Sequence, residues 1–200
     1  MATGTQDDLI AAALELMLRH GYAATGINDI CQQAGVSKGA FYHSFPSKEE
    51  LAVAALQAFY RRGREELLAI DVSAVAPAER LPLFVDRVAD RATFLWEHGC
   101  LIGGLATEVA LVNDTLQRHV AQLFDELAVL VAQLAEPFAA ALARPELRAP
   151  ALAEDFLALV EGTIVLSRAH RDPRRVRAAL KRHAAALRLL QTHRRLPRST

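Results

Sequence analysis

Ile27-Asn28-Asp29-Ile30-Cys31-Gln32-Gln33-Ala34-Gly35-Val36-Ser37-Lys38-Gly39-Ala40-Phe41 is the stretch on which the reading of this chain turns. Two short helices meeting at a steep angle need a small side chain where they cross and a residue between them that tolerates positive φ. They also need apolar contacts that lock the angle. Cys31 suits the crossing, Gly35 the turn, and Ile27, Ile30, Ala34, Val36, Phe41 and Phe45 the contacts. Ser37, Lys38, Gly39 and Ala40 then stand at the start of the second helix, the end of a helix-turn-helix that meets base edges. The spacing by itself also fits an ordinary helical hairpin.

Outward from this stretch the pattern stays helical. Ile10, Ala13, Leu14 and Met17 form one apolar stripe over Thr5 to His20, with Thr5 as cap, Asp7 and Asp8 in the first turn and Gly21 as the stop. Thr25 is the expected cap of a helix over 27–34, and a third helix covers 38–44. Phe45-Pro46-Ser47 then interrupts, and Ser47 with Glu50 makes a capping box for a fourth helix reaching Ala69. Further helices are expected over 78–98, 101–112, 114–143, 151–169 and 173–192. Their stops are Gly99, Asn113-Asp114, the stretch from Pro145 to Pro150, and Asp172-Pro173. Pro137 is expected to kink or split the longest of them. No alternating strand pattern is present. The fold class is therefore all-α with about nine helices: a three-helix helix-turn-helix domain over 1–46 and a larger helical domain over 47–200.

Composition narrows the function. Apolar residues make up 52% of the 200 and aromatics 6%, enough for a core, and no apolar run reaches the roughly twenty residues of a membrane span. The polar start, Met1 to Asp8, has Asp7 and Asp8 where a signal peptide needs basic residues, so a cytoplasmic location is expected. Cys31 and Cys100 sit in no CxxC or Cys/His cluster; neither a disulfide framework nor a metal site nor any cofactor is expected. Net charge is zero, but unevenly spread: residues 65–167 hold 16 acidic and 6 basic side chains, and 168–200 hold 11 basic and one acidic. Residues 1–64 carry six of each, so DNA contact has to come from a few placed groups rather than bulk charge. The basic end suits a solvated face, a partner for the acidic middle, or a nonspecific nucleic-acid contact.

The run from Gly21 to Leu51, with V-S-K-G, F-Y-H-S-F and P-S-K-E-E-L together, closely resembles the N-terminal signature of the TetR family of transcriptional repressors. The resemblance is strong over residues 5–55. It implies that Ser37, Lys38, Gly39 and Ala40 approach bases in the major groove. Thr25, Tyr42, His43 and Lys48 would then hold phosphates of double-stranded DNA. Gly26 stands where the family often has a second hydroxyl residue, which puts one phosphate contact in doubt. The resemblance further implies a homodimer on a palindromic operator and release by a small-molecule effector. Phe59, Phe94, Trp96, His98, Cys100 and Phe124 are the pocket candidates, although aromatics at helical spacing equally fill a core.

Cys100 opens a predicted helix beside His98, a setting that lowers a thiol's pKa. The segment G-C-L-I-G-G-L-A-T-E is similar to that of a subgroup with electrophile-responsive members. A redox-sensing repressor acting through Cys100 is thus the alternative to an ordinary ligand, and a small buried thiol against Gly103 and Gly104 is the plain reading. Phe156, Leu159 and Thr163 on one late helix, and Val176, Leu180 and Leu187 on the other, are expected at a four-helix dimer interface; intramolecular packing is the competing account. An enzyme is not expected, since the chain has no GxGxxG, Walker, HExxH or nucleophile-elbow motif.

Overall fold

The structure, a computed structural model, describes residues 4–194. The first three positions of the polar start and the short tail after Arg194 lie outside the described residues. Those residues form nine α-helices and no strand: α1 (Thr5–His20), α2 (Ile27–Ala34), α3 (Lys38–Ser44), α4 (Lys48–Leu68), α5 (Arg80–Trp96), α6 (Leu101–Val109), α7 (Asp114–Leu142), α8 (Ala149–His170) and α9 (Arg174–Arg194). Single 3-10 turns, Pro77–Glu79 and Pro145–Leu147, precede α5 and α8.

The helices sort into two compact units. The first holds the described residues up to Arg64 together with His98–Phe124; the second holds Glu65–Glu97 and the described residues from Asp125 onward. In the first, α1 packs on α2, α3 and α6. Leu9 and Met17 of α1, Ile30 of α2, Phe41 of α3, Leu51 and Leu56 of α4 and Leu105 of α6 are buried in its core. In the second, α9 lies against α5 and α8. The Phe84 and Phe156 rings there stand 6.0 Å apart at 52°.

Two helix caps differ from the sequence reading. Gly4, not Thr5, occupies the cap position of α1, and its carbonyl accepts from the Asp7 and Asp8 amides. Gly26, not Thr25, caps α2: its amide donates to the Asp29 carboxylate at 3.1 Å, while Thr25 points inward. The Ser47 cap follows the sequence, its hydroxyl accepting from the Glu50 amide at 3.1 Å, and Asn113, expected only as a stop, also caps α7 by accepting from Leu116 at 2.8 Å. Pro137 does not split α7, which runs unbroken to Leu142. Val131, Ala135 and Phe138 are all fully buried around it, and that packing outweighs one missing amide bond.

Most of the stripe expected to face a second subunit is buried within this one, while Leu159 is half-buried. Phe156, Thr163, Val176, Leu180 and Leu187 are all buried within the chain, Leu180 completely. Side chains this well covered offer a partner little surface; helical periodicity reveals that a face is apolar but not what covers it. The large exposed apolar side chains of the two helices, among the described residues, are Val165 and Leu166 of α8 and Leu189 of α9. Leu180→Ala is accordingly expected to destabilise the subunit by about 2–5 kcal/mol in urea denaturation at any protein concentration.

The charge asymmetry is partly answered inside the second unit. Lys181 of α9 stands 3.1 Å from Asp86 and 2.9 Å from Asp90 of α5, Arg177 lies 3.0 Å from Asp90, and Arg188 lies 3.4 Å from Asp86. These pairs are partly solvated, so each contributes at most about 1 kcal/mol. Hydrogen bonds from Lys181, then Arg177, hold the Asp90 carboxyl below its ordinary value of 3.8. A carboxylate depressed by folding stabilises the fold above its unfolded pKa, and that contribution disappears as pH falls through the folded value. Stability should therefore drop on acidification below about pH 4, and Asp90→Asn should lose less over the same interval, as read from urea midpoints at each pH.

Candidate nucleic-acid interface

Between α2 and α3 the chain reverses at Gly35, whose φ of 67° and ψ of 28° lie in the left-handed region. The Gly35 amide donates to the Gln32 carbonyl at 3.2 Å and the Val36 amide to the Cys31 carbonyl at 3.0 Å, so the end of α2 is closed within two residues. Ser37 opens α3, with its hydroxyl oxygen accepting from the Ala40 amide at 3.1 Å. The hydroxyl proton remains able to donate.

Phe41 sets how this short helix sits. It is fully buried, meets the Tyr42 ring edge-on at 5.1 Å and 83°, and lies 6.4 Å from Phe45. With Phe41 and Phe45 inward, helical spacing turns the other positions out: Ser37, Lys38, Gly39, Tyr42 and His43 are exposed and Ala40 is half-buried. Tyr42 is 56% exposed despite its aromatic ring. The geometry thus leaves five of the eight expected DNA-contacting residues exposed on or beside α3, with Ala40 half-buried among them. A hydroxyl, an ammonium, a phenol and an imidazole lie there beside two small residues, which suits a surface that approaches a groove closely and grips its phosphates.

Thr25 and Lys48 lie behind that surface. Thr25 is only 2% exposed, and its hydroxyl donates to the Gly21 carbonyl at 2.7 Å. Lys48 donates to the Tyr22 and Thr25 carbonyls, both at 3.0 Å, and stands 4.1 Å over the Tyr22 ring. Burial lowers its pKa, an effect that the nearby Glu108 carboxylate opposes. Burial also raises the Tyr22 pKa, helped by Glu49. Both expected phosphate ligands therefore brace the loop between α1 and α2. Tyr22, Glu49, Glu108 and Asn113 share in this brace and carry no sequence signal for it, since Glu108 meets the loop from 85 positions away.

The expected pocket residues are placed as follows. Phe59 and Phe124 are half-buried, Cys100 is buried and His98 exposed, all in the first unit; Trp96 is half-buried and Phe94 exposed, in the second. Cys100 does stand at the start of α6, but it is only 7% exposed, whereas a sensing thiol needs access. The second unit also has an open hollow of about 400 Å³ formed by residues 68–73 and Arg80, which includes none of the six.

Comparison with known proteins agrees with this architecture. Residues 9–55 match the family described as bacterial regulatory proteins, tetR family, and residues 77–182 match the LmrA/YxaF-like transcriptional regulator C-terminal domain. The uncharacterised HTH-type transcriptional regulator YxaF of Bacillus subtilis is 31% identical over 173 residues, which is 84% of this chain and 87% of that protein. The transcriptional regulator AcuR of Cereibacter sphaeroides is 34% identical over 140 residues, 62% of this chain and 63% of that one. A regulatory protein TetR from Rhodobacter sphaeroides superposes with a TM-score of 0.76 at 27% identity, covering 90% of this chain and 96% of that one.

The Gly35 turn allows a direct check. No atom lies within 4 Å of an added Cβ there, so any cost of a side chain is purely conformational. Gly35→Ala is expected to lose about 1–2 kcal/mol of stability and Gly35→Asn distinctly less, because asparagine tolerates left-handed backbone.

Proposed function

This chain belongs to the TetR family of transcriptional regulators, and from that premise we propose that it is a repressor of the small-molecule-released kind. It binds a palindromic operator as a homodimer. The observation that carries the reading is the outward surface of α3, where Ser37, Lys38, Gly39, Ala40, Tyr42 and His43 stand together on a helix whose angle is set by Gly35 and Phe41. Six residues from one subunit give few contacts, and a second copy doubles them and matches a two-fold operator. Val165, Leu166 and Leu189 are large apolar side chains that α8 and α9 expose to a second copy, beside the half-buried Leu159.

Thr25 and Lys48 support the reading head rather than touch DNA, which leaves Tyr42, His43 and Lys38 as the phosphate-holding groups. Release by an effector in the C-terminal helices needs a differential affinity of roughly 5.5 kcal/mol for a complete swing between bound and free states. The burial of Cys100 favours an ordinary ligand over thiol chemistry as the releasing signal.

Gel-shift titration on the DNA upstream of the chain's own coding sequence tests the proposal. A specific complex that weakens steeply as salt rises is expected; absence of any specific complex sinks it. Replacing Tyr42 and His43 together by Ala should weaken binding about 100-fold or more, at roughly 1–3 kcal/mol for each lost charged or polar contact. Size-exclusion behaviour and helical content should stay as in the unaltered chain.

A further inference from the structure

We propose that Glu108, near the end of α6, is a positioning residue for DNA recognition: its carboxylate holds the α1–α2 loop so that the reading head follows the position of α6. The inference rests on the DNA-binding reading above and names the contact through which α6 acts on that surface.

The carboxylate uses both oxygens on consecutive backbone amides. The Tyr22 amide donates to Oε1 at 3.2 Å and the Ala23 amide to Oε2 at 2.9 Å. Gly21 makes room for this approach: its φ is 86°, and a Cβ built there would lie 2.6 Å from Glu108 Oε1. On the carbonyl side the same loop is held by the Lys48 ammonium at Tyr22 and Thr25, and by the Thr25 hydroxyl at Gly21. An anion from α6 therefore fixes the amides while a cation from α4 fixes the carbonyls. A second link, from the Asn113 amide to the Glu49 carboxylate at 2.5 Å, joins the turn after α6 to the start of α4.

The loop leads straight into Gly26 and α2, whose far end turns at Gly35 into α3. Moving the loop thus re-aims the head. The rest of α6 buries Leu101, Ile102, Leu105 and Val109, contacts that tolerate small slides because apolar packing is non-directional. The Glu108 bonds do not tolerate them. Sliding α6 along its axis by one residue's rise, about 1.5 Å, stretches or misaligns both bonds unless the loop moves with the carboxylate. Since Glu108 is solvent-exposed, its bonds add little to global stability. Their loss should show in DNA binding instead.

The test compares the full chain with Glu108→Ala and Glu108→Gln on a duplex that the unaltered chain selects from a random pool. Three quantities are read: the Kd, the thermal midpoint, and hydrogen exchange at the Tyr22 and Ala23 amides. Glu108→Ala should bind about fivefold more weakly or worse, exchange faster at both amides, and keep nearly the same midpoint. Glu108→Gln should fall between, because its carboxamide retains one acceptor oxygen and turns a donor toward the other amide. Unchanged exchange in both variants overturns the contact; faster exchange with unaltered Kd overturns its positioning role. If Glu108→Ala does not fold, the near-isosteric Glu108→Gln decides by the same criteria. If the unaltered chain selects no duplex at all, it is the DNA-binding reading that has failed, and this inference falls with it.

Discussion

A left-handed turn at one glycine governs the part of this protein that meets DNA. Gly35 reverses the chain so tightly that α3 begins three residues later. A helix of only seven residues has no stability of its own. Its direction is imposed by the turn at one end and by Phe41, buried completely, in the middle. Everything useful on the reading surface follows from those two restraints, because fixing one inward residue on a helix fixes which residues point out. Tyr42 illustrates the coupling. Its ring packs edge-on against Phe41 while its hydroxyl end stays in solvent, so the same contact that locks the core also orients a group suited to holding phosphate.

Behind this surface the protein uses charge in a different way. Residues 1–64 are electrically balanced, and one of their cations, Lys48, is occupied by loop carbonyls rather than offered outward. The large excess of basic side chains at the C-terminal end is partly answered within the subunit, where Arg177, Lys181 and Arg188 face Asp86 and Asp90. Of the three accounts open for that basic segment, pairing with the acidic middle is the one these contacts support. On the proposed function, DNA recognition depends on a few placed donors. Repetition of those donors by a second copy is therefore a physical need of the proposed function and not an incidental property of the family.

Helix existence was legible in the sequence because the apolar spacing and the stops agreed with each other. The ends were less so. Thr25 read as a cap because hydroxyl residues commonly close helix starts; in the folded chain Gly26 takes that place, Asp29 serves its amide, and the Thr25 hydroxyl turns inward to Gly21. Pro137 read as a break because it lacks an amide, yet three buried neighbours carry α7 through it. The C-terminal stripe was expected at a dimer surface, with subunit core as the competing account. Only the position of α5 and α8 against α9 decides for core.

The sequence by itself determined the all-helical class, the turn at Gly35, the inward Phe41 and the outward row from Ser37 to His43. Each of these depends on residues within a few positions of one another, where periodicity and backbone preference act locally. Tertiary structure alone decided that Thr25 and Lys48 brace a loop, that Leu180 lies inside its own subunit, and that a carboxylate on α6 holds amides 85 and 86 residues earlier. Those outcomes depend on which helix is brought beside which, and a local pattern holds no record of its distant neighbour. The reading head was thus visible from its own residues, while the contacts that hold it in place were not.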